Sequence, residues 1–427
     1  VWVRWPHDES MLAKHKPNIL VAMPRLPEPP AIAQRHFELI SRLAQSCAIT
    51  LFGGIEEDSD MRQIQVLQDR GVDVHAYTLR KGRAVFRLRQ RHAWIDKLQP
   101  TWLAFGCAKP RLIHAQDLSM NGCVAPLRRL VGHKGFDVVH VEDTLVHWLH
   151  GASMSMPLAV EFDDINSVFA HREARLDRSM YGRFLGRVNA YKQLRYDRAA
   201  AAVGHLCITA SEMDSLFLRR VLPGARTGEV PNGVDTEYFR PLPHLAPDCA
   251  TLLFVGTMHY GPNADAARFF VRSILPLIRS VCPKTRLQIV GMSPPPEVVA
   301  LAADPHVDVL GAVDDVRPYL ARATVVVVPL RYGSGTRLKI LQALAMEKAV
   351  VSTAVGAEGL HLDPSEIVQA DTPRAFATAV IELLADSSKR RQLGEAGRRV
   401  VVARYDWNVA AARLYELYTT LAKRGAS

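Results

Sequence analysis

The chain reads as an α/β protein built from two doubly wound domains that face each other across a cleft. Three observations predict this. Short apolar, β-rich runs alternate with amphipathic stretches; the alternation stops at an aperiodic, proline-rich segment, RPLPHLAPD at 240–248; and the same alternation then starts again. Such alternation gives a parallel sheet covered by helices on both faces, and the proline-rich segment reads as a linker.

In the first half, strands are expected at 18–23, 48–52, 72–77, 137–142, 158–162 and 206–209, with helical patterns at 32–45 and over the long stretch 172–202. In the second half, strands are expected at 251–255, 286–290, 307–310, 324–328, 350–353 and 367–370. The closing helices, 388–404 and 407–423, are too many for one more repeat unit and are expected to cross back onto the first domain. The resulting division is a first domain over 1–240, a second over 250–404 and a returning C-terminal helix over 405–427. In this architecture ligands sit outside the carboxyl ends of the strands.

At 427 residues the chain has room for two or three domains, and 48% hydrophobic with 22% charged residues is the balance of an ordinary globular protein. No window approaches 18 uninterrupted apolar residues, so no membrane span is expected. The first residues, VWVRWPHDESMLAKHK, lack the apolar core and cleavage site of a secretory signal. Six cysteines lie far apart with no CxxC pair, which argues against a zinc site or a disulfide framework and for reduced thiols in the cytoplasm. A formal charge of +10 favours anionic partners.

The richest segment is TVVVVPLRYGSGTRLKILQALAMEKAVVSTAVGAEGL, from Thr324 to Leu360. A buried β-run empties into Gly333-Ser334-Gly335-Thr336, and a helix follows with Arg337 and Lys339 in its first turn. Unpaired amides and the helix dipole point at one place there, which makes an anion site for a phosphate or diphosphate. With Thr336 as N-cap, Gly335, Lys339 and Gln342 share a helix face. A lysine in a first turn opposes the helix dipole, so its presence asks for a reason other than helix stability.

Several landmarks occur in one order: Pro231-Asn232-Gly233-Val234-Asp235 with Phe239, Phe254-Val255-Gly256, Ile289-Val290-Gly291, Gly311 to Val316, PLRYGSGTRLKILQA, Val351-Ser352-Thr353 with Gly356, and Tyr405-Asp406-Trp407. In this the chain resembles the retaining glycosyltransferases of the GT-B fold, specifically glycosyltransferase family 4. The resemblance implies two Rossmann-like domains and transfer of a sugar from a nucleotide-diphosphate donor, with retention and with neither a cofactor nor an obligatory metal. The donor would sit on the second domain and the acceptor on the first. The donor-binding residues implied are Gly256, His259, Val313, Arg331, Gly333, Ser334, Gly335, Thr336, Lys339 and Gln342, with Arg337 and Lys339 also stabilising the leaving diphosphate.

Two departures from the family pattern stand out. The two glutamates eight positions apart around the loop are here Ser334 and Gln342. Gln342 still accepts a hydrogen bond, at about half the strength of a charge-assisted one. The arginine and lysine after the first strand of the second domain are here Thr257 and Pro262, leaving Arg331, Arg337 and Lys339 to hold phosphate. Asn263 is expected to cap the helix running to Arg279.

On the first domain, Glu142 and Asp143 follow one strand and Asp163 and Asp164 another. Glu142 and Asp164 are the candidates for holding or deprotonating an acceptor hydroxyl, with helix capping as the alternative role. Residues 80–97, RKGRAVFRLRQRHAWIDK, mix basic residues with Val85, Phe86, Leu88, Trp94 and Ile95. They read either as an interfacial helix on anionic lipid or as the solvated face of a packed helix. No nucleic-acid motif is present. The expected function is sugar transfer to a polysaccharide or lipid-linked acceptor, by a cytoplasmic protein peripheral to the inner face of the cell membrane. The alternatives are a nucleotide-sugar epimerase of the same fold and a non-catalytic nucleotide-sugar-binding partner.

Overall fold

A computed structural model describes residues 16–27, 35–55, 61–78, 124–133, 135–146, 156–176, 179–333 and 335–425. Ser334 and residues 80–97 lie outside them. Among the described residues, thirteen strands form two sheets in which every pair is parallel. The first contains β1 (Asn18–Ala22), β2 (Ala48–Ile55), β3 (Asp73–Thr78), β4 (Val138–Glu142), β5 (Leu158–Phe162), β6 (Leu206–Thr209) and β7 (Thr227–Glu229), in the order β3-β2-β1-β4-β5-β6-β7. The second contains β8 (Thr251–Val255), β9 (Arg286–Val290), β10 (Val307–Gly311), β11 (Val325–Val328), β12 (Val350–Ser352) and β13 (Val368–Gln369), in the order β10-β9-β8-β11-β12-β13.

In each sheet the winding direction reverses once, between β1 and β4 and between β8 and β11. Those reversals open the crevices where doubly wound sheets take their ligands. The central strands are apolar on both faces, as helices on both sides require: all four valines of β11 are buried.

Strand β7 was not expected, because its three residues, TGE, offer no apolar alternation to read. The stretch 172–202 is not one helix but parts of two, Asn166–Leu176 and Met180–Val203. The C-terminal helices also part company. Ser387–Arg404 stays with the second domain, packed on the helix Leu338–Ala345. Only Trp407–Gly425 crosses to the first, where Trp407, Ala410, Leu414, Tyr418 and Leu421 join the core formed with the helix Arg35–Leu43. The crossing is fixed by main-chain bonds from Val234 N to Tyr405 O (2.8 Å) and from Trp407 N to Val234 O (3.3 Å). Gly233 allows it, since a Cβ there would lie 2.8 Å from the Trp407 ring.

Candidate active site

The second-domain crevice is built around glycines. Beyond β8 and β9 the chain passes through Gly256 and Gly291 so closely that a Cβ on Gly291, whose φ is +155°, would overlap the Gly256 carbonyl. A Cβ on Gly256 would in turn lie 2.6 Å from Lys339 Nζ. The Lys339 ammonium therefore sits over the backbone at the end of β8, 2.6 Å from Asn263 Oδ1 and 4.7 Å from the centroid of the Phe254 ring. Burial lowers its pKa to about 7, and the like charge of Arg337 adds to the effect.

Asn263 is not the helix cap expected of it. The helix Gly261–Phe269 begins one turn earlier, with Tyr260 at its cap and no side-chain capping bond. Asn263 lies inside it, donates to the Thr257 carbonyl (2.9 Å) and turns its oxygen to Lys339. The helix also does not run straight to Arg279: a π turn, Phe270–Ile274, separates it from Leu275–Arg279.

The glycine loop differs in register from expectation. The helix is Leu338–Ala345 with Arg337, not Thr336, at its cap, so Arg337 precedes the first turn while Lys339 remains in it. Thr336 is buried, and its hydroxyl has no hydrogen-bond partner among the described residues. Arg337 is buried too: it folds back over Gly333, and its Nη1 donates to the Gly335 carbonyl at 2.8 Å. Burial pulls its pKa below the usual arginine value against the attraction of Asp164. Gly333 and Gly335 have φ of +134° and +71°, conformations that favour glycine. Gln342 is half-buried on the following turn.

Arg331 points elsewhere. Its guanidinium pairs with both oxygens of Asp265 and lies 4.8 Å from the Phe269 ring centroid. His259 is exposed in the turn after β8, and Val313, after β10, packs partly buried on the second core.

The first domain reaches this loop directly. A Cβ on Gly335 would overlap the Asp164 carboxylate, which is therefore brought to the glycine loop. Arg172, on the helix Asn166–Leu176, donates to the Gly333 carbonyl (2.7 Å) and to both oxygens of Glu358. Phe169 of the same helix stacks on Tyr260 at 6.0 Å and meets Tyr332 at 6.1 Å. Arg172, Asp214, Gly335 and Glu358 line a recess between the domains.

Below Asp164, at the β1/β4 reversal, lies a buried charge network that the sequence reading missed. Glu161 accepts from Arg35 Nε (2.7 Å) at one oxygen, and its other oxygen meets His36 Nε2 and His140 Nε2, each at 2.8 Å. Arg35 also donates to Asn232 Oδ1 (3.0 Å), and the Tyr418 hydroxyl from the last helix joins at His140 Nδ1 (2.6 Å). Burial opposes charge on both Glu161 and His36, but their partners win. Arg35, His36 and His140 hold the Glu161 carboxyl well below its ordinary range, and Glu161, with Glu142 and Asp163, raises His36 to about 9. Glu142 ends β4 nearby, and burial raises its pKa while His36 resists the change. The available signal was a glutamate inside the apolar strand LAVEF, a residue that stays buried only when paired. Among the described residues, no group of three or more His, Cys, Asp or Glu side chains is arranged to hold a metal ion.

Residues 249–386 match the family described as Glycosyl transferases group 1. The second domain thus carries a group 1 glycosyltransferase domain. The chain is 26% identical over 336 residues to a phosphatidyl-myo-inositol mannosyltransferase of Mycobacterium tuberculosis, covering 73% of this chain and 84% of that protein. It is 25% identical over 309 residues to the phosphatidylinositol N-acetylglucosaminyltransferase gpi3 subunit of Schizosaccharomyces pombe, covering 69% of this chain and 63% of that one. Its fold superposes on sucrose-phosphate synthase from Thermosynechococcus elongatus with a TM-score of 0.71 at 18% identity, over 95% of this chain and all of that one. The two facing sheets are thus the GT-B fold.

Proposed function

We propose that this glycosyltransferase moves a sugar from a nucleotide diphosphate to a lipid-linked or glycan acceptor, with retention and without an obligatory metal, at a membrane face. The observation that carries the donor reading is Lys339, a cation held beside a second cation and bonded to a neutral amide, at the strand end where doubly wound sheets bind ligands. A diphosphate supplies the charge that this site is built to meet. As the bond from the sugar C1 to the phosphate oxygen breaks, negative charge grows on the leaving diphosphate, and Lys339 and Arg337 stabilise it. Removing one such donor costs roughly 2.7–4 kcal/mol of transition-state stabilisation.

The acceptor, held by the first domain, forms its bond to C1 on the same face that the diphosphate leaves, which preserves the anomeric configuration. Its proton passes to the Glu142 carboxylate, whose affinity for a proton is raised by burial. Asp164 positions the acceptor where the first domain meets the Gly333–Thr336 loop. The Arg172–Glu358 bridge and the Phe169 stack keep the two halves together and exclude water that would hydrolyse the sugar. Two relatives named for phosphatidylinositol support a lipid-linked acceptor.

A thermal-shift screen with UDP, GDP and ADP, repeated on Lys339→Ala and Gln342→Ala, tests the donor site. One diphosphate should raise the wild-type melting temperature and leave Lys339→Ala unmoved; no response to any of them ends the donor reading. The anomeric coupling of the product by NMR tests retention, and turnover in EDTA tests metal independence.

A further inference from the structure

The helices Asn166–Leu176 and Met180–Val203 form an antiparallel hairpin. They touch where a Cβ on Gly186 would overlap Ala174, and again where Ser167 N donates to Asp197 Oδ2 (3.1 Å). The second helix has 24 residues, about 36 Å, whereas the five-residue strand β5 beneath it spans only about 17 Å. Its first half therefore stands beyond the carboxyl edge of the sheet, beside the cleft that Arg172 bridges.

That projecting half is apolar on the outside. Met180 is 80% exposed, Tyr181 55%, Phe184 53% and Tyr191 63%, with Leu176 of the first helix also exposed. At 100° per residue, Met180, Phe184, Arg187, Tyr191, Arg195 and Arg198 fall within about 80° of arc, so aromatic and cationic side chains share one face. The three arginines are exposed. The one acidic residue of this helix, Asp197, is buried against Ser167. The outward face of this second helix is thus free of carboxylates, unlike the mixed-charge surface that keeps a solvated helix soluble, and the exposed Glu173 lies on the first helix.

We propose that this hairpin docks the protein on an anionic lipid surface. Met180, Tyr181 and Phe184 sit at the boundary of headgroups and acyl chains, while Arg187, Tyr191 and Arg195 lie along the headgroups. Apolar residues gathered at a projecting tip, with cations behind them, make a wedge for a bilayer interface, whereas a protein or nucleic-acid partner is usually met by a groove or a broad flat patch. The inference deepens the membrane-face part of the proposed function by naming the surface that makes the contact, and it does not need a lipid acceptor.

Co-sedimentation with vesicles of phosphatidylcholine alone, or mixed with phosphatidylglycerol, tests it. The wild type should bind the mixed vesicles only, and less as salt is added. Arg187→Glu with Arg195→Glu should weaken that binding at least about tenfold, and Met180→Ser with Phe184→Ser should weaken it as well. Both variants should keep the wild-type thermal response to nucleotide, which separates this result from any failure of the donor site. The proposal is overturned if the wild type ignores anionic vesicles or if both double variants bind like it. It is equally overturned if the wild type is a dimer that Phe184→Ser converts to a monomer, because the face then joins two copies of this chain.

Discussion

Replacing Lys339 with methionine should make the ligand-free protein more stable while removing its donor. The ammonium is held at about 7 against an ordinary 10.5, with burial the main cause and Arg337 the second. At about 1.36 kcal/mol per pH unit, this bounds the cost of its charge at roughly 5 kcal/mol. Partial solvent access reduces that to roughly 2–3 kcal/mol. Because the folded-state pKa is lowered, the cost is fully present below about pH 7, where folded and unfolded chains both carry the proton. It is relieved as pH rises toward 10.5. Lys339→Met should therefore melt several degrees above wild type at pH 6, with the gain shrinking steadily in alkaline buffer. In the wild type, a bound diphosphate restores the charge. Calorimetry at pH 8 in buffers of different ionisation enthalpy should show uptake of about 0.9 proton per nucleotide bound. A Lys339→Met protein that melts below wild type at pH 6, or that keeps wild-type nucleotide affinity, would refute the reasoning.

Glu161→Gln should cost roughly 3–5 kcal/mol in urea unfolding, because it strands buried Arg35 and half-buried His36 without their carboxylate. In wild type the His36 contribution is complete below pH 6.5 and lost as pH rises through about 9, so the variant should lack that alkaline decline. Gly335→Ala places a side chain at φ +71° and against Asp164; it should separate the domains, seen as a larger radius of gyration in small-angle scattering, with donor turnover reduced at least about tenfold. An unchanged radius would show that this contact does not hold the domains together. Gln342→Glu gives the donor a charge-assisted acceptor where the family has a glutamate, and should tighten nucleotide-sugar binding by about 1 kcal/mol, read as a roughly fivefold lower Kd.

The architecture was legible because its signals are local. Runs such as TVVVV and TLLFV announce buried parallel strands, and the glycine loop with Lys339 announces an anion site. What escaped depends on residues far apart in sequence. Arg331 reads in sequence as an unpaired cation, and its pairing with Asp265, 66 residues earlier, leaves no local trace. Asn263 looked like a cap until Lys339, 76 residues later, was seen to use its oxygen. The Glu161 network draws on Arg35, His36, His140, Asn232 and Tyr418, and no periodicity joins residues from four separate elements and a loop. The cap of the helix Leu338–Ala345 was misplaced by one residue because Thr336 is a better capping residue than Arg337 by type, while packing buries its hydroxyl instead.

The helix Trp407–Gly425 has a consequence for the order in which the molecule assembles. The first domain needs Trp407 and Tyr418 to fill its core and to complete the Glu161 network, yet the ribosome adds these only after all the strands of the second domain. The second domain, whose strands run from Thr251 to Gln369, has its sheet in hand sooner. The half of the protein translated first is therefore the half finished last. Until that final helix docks, a nascent chain exposes the apolar face of Arg35–Leu43 to solvent and to chaperones.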